Sequence, residues 1–156
     1  MNTLYDGIVR QAQRYGDKER YIYINKVTKQ EETVTFSQML DHVNYIASAL
    51  NTFGLAGKTV IVTGDSHPDY VATYLAVVAC GGTIVPLDKD ISAEQFSGFA
   101  ELCEAEAIVY TSSLHKKILE TSAELEKVKK LRKQAEFMAG ERARNALSLG
   151  LKAVLR

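Results

Sequence analysis

The sequence predicts an α/β fold: a parallel-sheet core of βαβ units with an N-terminal helix and hairpin, plus a basic helical C-terminal extension. Three observations carry this expectation. Short apolar runs rich in β-branched residues recur at Val60-Ile-Val62, Thr83-Ile-Val85 and Ala107-Ile-Val-Tyr110, the pattern of strands buried on both faces. Helical periods fill the intervals, and strand, helix and strand in about thirty residues make a right-handed crossover with parallel strands. Beyond Thr111 the apolar residues thin to one stripe amid Lys, Glu and Arg. The expected division is therefore an α/β body over residues 1–112 and a basic helical extension over 113–156.

Each element has its own signal. Leu4, Ile8, Val9 and Ala12 share a helical face, which predicts a short amphipathic helix over 3–15, ended by Gly16. Tyr21-Ile-Tyr-Ile24 and Glu32-Thr-Val-Thr35 flank a polar turn and read as a β-hairpin. Thr35 and Gln38 have capping-box spacing. Phe36, Met39, Leu40, Val43, Ile46, Ala47, Leu50 and Phe53 then repeat at three and four, up to a stop at Gly54. After the strand at Val60, Pro68 suits the first turn of a helix, where its missing N–H costs nothing. Tyr70 to Ala79 is apolar almost all round, so this helix should be largely buried, and Gly81 and Gly82 stop it. Ser92 and Gln95 make a second capping box before a helix whose apolar face is read as Phe96, Phe99 and Leu102. In the extension, Leu114, Ile118, Leu125, Val128, Leu131, Ala135 and Met138 form the stripe of a long solvated helix. Gly140 is expected to break it before a second helical piece, Arg142 to Leu155.

Bulk properties narrow the classes. The 156 residues suffice for one domain with a proper core and hardly more. No apolar run approaches the roughly 20 residues needed to span a bilayer, and the N-terminus lacks the pattern of a secretory signal. The expected location is the cytoplasm, with Cys80 and Cys103 as buried free thiols in helices. The formal net charge of zero conceals a split. Residues 1–115 hold 8 Lys+Arg against 14 Asp+Glu, a net of −6, while 116–156 hold 11 against 5, a net of +6.

Candidate chemistry is sparse. His42, His67 and His115 are dispersed, without a C-x-x-C or H-x-x-x-H partner, so no metal site is expected. Asp65, His67 and Asp69 follow the first core strand, at the end where open α/β sheets place ligands. An acid/base cluster is conceivable there, and capping of the following helix is the preferred reading. Ser66 lacks the glycines of a G-x-S-x-G elbow. The basic run Lys127, Lys129, Lys130, Arg132 and Lys133 has no aromatic residue until Phe137, so base stacking has little support and no nucleic-acid partner is expected. A solvated or self-associating helix is preferred, with peripheral contact to an anionic membrane as the alternative.

Three segments in order carry a family resemblance. Thr35-Phe-Ser-Gln-Met-Leu40 resembles a "T-Y-x-E-L" box, Val60 to Val78 resembles "V-A-I-x-G-x-N-x-x-E-W-x-x-x-Y-L-A-V", and Val78 to Ile91 resembles "G-G-x-x-V-P-L-D-K-x-L". Together they are similar to the N-terminal part of the adenylate-forming, AMP-binding enzymes, nearest to bacterial long-chain fatty acyl-CoA synthetases. The match covers roughly residues 1–115, the first fraction of relatives several times longer. Such enzymes use ATP, magnesium and coenzyme A to convert a carboxylate through an acyl-adenylate to a thioester.

The departures limit what carries over. The family's phosphate loop resembles "Y-T-S-G-T-T-G-x-P-K-G", whose glycines let backbone N–H groups reach the triphosphate. Val109-Tyr-Thr-Ser-Ser113 imitates its opening, but Leu114, His115, Lys116 and Lys117 follow without glycine. Thr63-Gly64-Asp65 imitates the family's ribose-holding motif, yet sits where the family has its early "G-x-N" turn. Nothing resembles the adenine-binding segment or the C-terminal lysine. No catalytic, cofactor-binding or metal residue is therefore assigned to this chain. The tail from Glu126 loosely resembles a basic helix well downstream of the phosphate loop, which would imply the loss of a central piece. The resemblance thus implies a truncated, N-terminal piece of an ATP-dependent fatty acid–CoA ligase, inactive alone, whose partner is the missing remainder or a second copy bound through the tail. The alternatives are a non-catalytic α/β interaction module whose basic helix mediates self-association or partner binding, and a decayed reading frame.

Overall fold

The computed structural model describes residues 3–25, 28–124 and 151–155. Helix α1 (Leu4–Tyr15) opens the chain, with Thr3 and Asp6 in a capping box at the spacing Thr3-Leu-Tyr-Asp6. Its buried line is Ile8 and Ala12, and Leu4 in the first turn is exposed. Strands β1 (Glu19–Ile24) and β2 (Glu31–Thr35) form the expected antiparallel hairpin. Helix α2 (Phe36–Thr52) starts on the Thr35–Gln38 capping box and buries Met39 and Val43 completely. Then follow β3 (Thr59–Thr63), α3 (Pro68–Ala79), β4 (Thr83–Leu87) and α4 (Ala93–Leu102), the last capped by Ser92 and Gln95 as expected. β5 (Ala107–Thr111) leads through a 3-10 turn, Ser112–Leu114, into α5 (His115–Glu124). Leu151–Leu155 forms β6.

The sheet order is β4-β3-β5-β6, with β3 parallel to both β4 and β5. Because side chains alternate along a strand, β3 feeds two half-cores. Val60 and Val62, with Ala107 and Val109, meet α1, α2 and α3 through Ile8, Met39, Val43, Leu50, Leu75 and Val77. Ile61, with Ile108 and Tyr110, meets Phe96 and Ala100 of α4 and Ile118 of α5. This is the parallel α/β core that the three apolar runs predict.

At the N-terminal ends of the strands, the connections are knitted by backbone. Gly57 N donates to Cys80 O, Thr83 N to Lys58 O and Glu106 N to Thr59 O, at 2.8–3.0 Å. A Cβ on Gly82 would lie 2.8 Å from the Lys58 carbonyl oxygen, so only glycine fits between the two turns.

Four expectations are revised. Leu151–Leu155 is not part of a helix but pairs antiparallel with β5, from Thr111↔Leu151 to Ala107↔Leu155. The outer edge of β5 otherwise presents unpaired N–H and C=O groups, which this strand satisfies. Cys80 and Cys103 lie at the C-caps of α3 and α4, half-buried, instead of within the helices. Burial still pushes the Cys80 thiol up from its ordinary value. Leu4 leaves the buried face of α1. On α4 the buried line is Phe96 and Ala100, continued by the half-buried Cys103 at the C-cap, and Phe99 and Leu102 are exposed. At 100° per residue these two fall about 60° and about 120° from Phe96, off the line that fits against Ile61 and Ile108. The stripe from Leu125 to Met138 and the break at Gly140 lie outside the described residues. Among the described residues, no helix is long and apolar enough to cross a membrane.

Phe96 is the large side chain that α4 inserts into the second half-core. Phe96→Ala is expected to cost about 3–5 kcal/mol, and Leu4→Ala no more than about 0.5 kcal/mol. Urea unfolding of both variants measures the difference; similar costs would contradict the packing described.

Candidate functional site

The chain leaves the top of β3 for α3 on one face of the sheet and the top of β5 for α5 on the other. The C-terminal ends of β3 and β5 are thus a topological switch point, the place where open α/β sheets receive ligands. Here that place is bridged by the protein's own side chains. Gly64 runs so close to β5 that a Cβ would lie 2.5 Å from Thr111 Cγ2. Asp65 N donates to Thr111 Oγ1 (3.4 Å), and Ser113 Oγ donates to Asp65 Oδ2 (2.9 Å). Lys89 Nζ, from the loop after β4, donates to Asp65 Oδ1 at 2.9 Å, and the carboxylate pushes the Lys89 ammonium up from its ordinary value. Lys117 Nζ of α5 donates to Lys89 O. One aspartate therefore ties the loops after β3, β4 and β5 together.

Asp65 does not cap α3, as the sequence suggested for it. His67 does: its Nδ1 accepts from Asp69 N at 3.2 Å. Asp69 lies in the first turn and is 4% exposed. Its carboxylate is flanked by His42 Nδ1 of α2 at 3.4 Å and by His67 Nδ1 at 3.2 Å. Burial pushes the Asp69 carboxyl up, but the two imidazoles outweigh it and hold the group below its ordinary value. Asp69 in turn raises His42, against the opposing effect of burial. Tyr23 of the hairpin sets its ring edge-on to His67, with centroids 4.6 Å apart, and donates its hydroxyl to Glu32 Oε2 at 2.6 Å. That bond raises Tyr23 to about 12 and lowers Glu32. The cluster fastens hairpin, α2 and α3 to one another.

The remaining candidates are apart. Ser66 is exposed. His115 stands under Tyr110, whose hydroxyl is 2.9 Å from its Nδ1. Among the described residues, no three His, Cys, Asp or Glu side chains are arranged to hold a metal ion. Thr111 and Ser113 fall in the segment that imitates the phosphate loop's opening and Lys89 in the segment Val78 to Ile91, but the sequence assigned none of them a role. The available signal was a lysine in Pro86-Leu-Asp-Lys89, at the mouth of the same sheet end as Asp65.

Two predictions follow from these contacts. Gly64→Ala is expected to destabilise the fold by about 2 kcal/mol through the clash with Thr111, and Thr111→Ala should recover part of that loss in the double variant. A double-mutant cycle in urea measures it, and strict additivity would refute the contact. The second concerns pH. The raised His42 contributes stability that is whole below its ordinary value of 6.5 and lost as pH rises through the folded value. The lowered Asp69 contributes stability that is whole above 3.8 and lost as pH falls through the folded value. Both are present between those limits. His42 is 32% exposed, so His42→Gln should cost about 1 kcal/mol near pH 5 and less near about pH 9. Equal costs at the two pH values would contradict the pair.

Comparison with known proteins places this architecture. The model of the family described as AMP-binding enzyme matches residues 8–148. A polyketide synthase–nonribosomal peptide synthetase, phmA, of Phaeosphaeria nodorum is 30% identical over 129 residues, 81% of this chain and 3% of that protein. A probable long-chain-fatty-acid–AMP ligase of Mycobacterium tuberculosis, FadD30, is 26% identical over 114 residues, 67% of this chain and 20% of the relative. The chain thus spans a small part of the curated relatives it matches. The crystal structure of the N-terminal domain of FACL13 from Mycobacterium tuberculosis superposes with a TM-score of 0.67 at 17% identity, over 77% of this chain and 30% of that one. That likeness establishes a shared fold, that of the N-terminal subdomain of adenylate-forming enzymes. With a family model matched across nearly its whole length, on the α/β scaffold just described, the chain belongs to the AMP-binding enzyme family.

Proposed function

We propose that this chain is scaffold from the N-terminal part of an ATP-dependent ligase that activates long-chain fatty acids as acyl-adenylates for transfer to coenzyme A. By itself it carries out no adenylation. The observation that carries the second statement is the switch point between β3 and β5. Thr111, Ser113, Lys89 and Asp65 bridge it with one another, and the residues after β5 are Ser-Ser-Leu-His-Lys-Lys. A triphosphate needs a concave run of free backbone N–H groups and a cation. Here the nearby Lys89 ammonium is already engaged by Asp65.

The fatty acyl class draws support from the segments quoted above and from the similarity to a fatty-acid–AMP ligase. The similarity to a polyketide synthase–nonribosomal peptide synthetase favours a second class, amino or aryl acids, with the same adenylation chemistry. The remainder of the enzyme is the partner this reading requires.

A chimera tests the role. Residues 1–112 are grafted in place of the matching segment of FadD30, and ATP–pyrophosphate exchange is followed with fatty, amino and aryl acids. The reading expects exchange with fatty acids by the folded chimera and none by the 156-residue chain alone. Exchange by the free chain would refute its inactivity, and a folded but dead chimera would refute the scaffold role.

A further inference from the structure

One nitrogen in the polar cluster faces two partners that it cannot serve at once. His67 Nδ1 lies 3.2 Å from the Asp69 backbone nitrogen, which needs an acceptor, and 3.2 Å from Asp69 Oδ2, which needs a donor. A ring nitrogen accepts when bare and donates when protonated. In the accepting position it caps α3. Asp69 Oδ2, on a residue 4% exposed, is then left without a hydrogen-bond partner among the described residues. An unpaired buried carboxylate oxygen is costly. His42 Nδ1, beside the other carboxylate oxygen at 3.4 Å, is likewise buried and unbonded among the described residues. The charged and titratable groups facing His67 and Asp69 are His42, with Asp41 behind it, from α2, and Tyr23 and Glu32 from the hairpin.

We propose that His67 is a two-position proton switch between α3 and the hairpin. Neutral, its Nδ1 accepts from Asp69 N and caps the helix. On proton uptake both ring nitrogens become donors, so Nδ1 leaves the cap and bonds Asp69 Oδ2, a charge-assisted contact that satisfies the orphaned oxygen. The side chain is 33% exposed, so the proton comes from solvent. The new charge also acts on Glu32, whose carboxylate it holds down. Glu32 is bonded to Tyr23, whose ring stands edge-on to His67. The hairpin is thereby drawn toward the start of α3. Two strands alone have little stability, so the hairpin depends on such contacts. The charged position holds from the pH at which the imidazole takes up its proton down to the pH, below 3.8, at which Asp69 loses its charge.

Nitrogen-15 NMR of the full chain, titrated from about pH 8.5 to about pH 5 where histidines change charge, tests this. His42→Gln is used as the background, so that the neighbouring imidazole does not titrate in the same window. His67 Nδ1 should be bare at the upper end and protonated at the lower, and the Asp69 amide resonance should move with the same midpoint. His67→Asn keeps a capping side chain and should abolish that movement. Asp69→Asn should weaken the proton affinity of His67 roughly tenfold. Hydrogen-exchange protection of the β1 and β2 amides should rise roughly threefold as His67 gains its proton, and Glu32→Gln should remove the rise. An Nδ1 protonated across the whole range, or an Asp69 amide that ignores the titration, overturns the switch. Hairpin protection that does not follow His67 overturns its link to the hairpin.

Discussion

The structure rests on the complete enclosure of β3. Val60, Ile61 and Val62 have no solvent exposure, with β4 and β5 on their edges and a helical layer on each face. A strand enclosed this way can lose no neighbour without opening either a hydrogen-bonding edge or an apolar face. That constraint explains why α3 and α4 cross on opposite faces, and why the sheet has its switch point where it does. It also explains the hairpin and the first two helices, which complete the half-core under Val60 and Val62.

Elements whose identity depends on local chemistry were legible in the sequence. The capping boxes at Thr35 and Ser92, Pro68 at the start of α3, and the apolar runs of β3 and β5 act over a few residues and leave a pattern. What depends on distant partners was not legible. The α4 face was read as Phe96, Phe99 and Leu102, whereas the structure buries Phe96 with Ala100 because that line meets Ile61 and Ile108. The pairing of Leu151–Leu155 answers an open edge more than forty residues away in sequence. At the site, His67 followed its local signal and capped α3. Asp65 did not, because its partners Lys89, Thr111 and Ser113 come from loops that only the assembled sheet brings together.

The two polar clusters near the tops of the strands do different work. The His42–Asp69–His67 group joins helices and hairpin on one face of the sheet, and its buried carboxylate is little screened by solvent. The Asp65 group spans the sheet's mouth and stands nearer solvent. Membership of the AMP-binding family gives the scaffold its lineage. In this chain the polar residues at the switch point hold loops to loops, and they satisfy one another without a ligand.

The two ends of the sheet are secured in unlike ways. The lower connections are joined by main-chain bonds, Gly57 to Cys80, Lys58 to Thr83 and Thr59 to Glu106. Most side chains preserve those bonds, provided Gly82 keeps its space and Gly57 and Gly81 keep their positive φ. The upper connections depend on four particular side chains. Mutational drift away from the glycines can therefore pass through the base of the molecule with little effect, while at the mouth a single change at Asp65 removes the ties to both Lys89 and Ser113. A mouth held by so few side chains is also the end where a small number of substitutions could turn a closed surface into an open one.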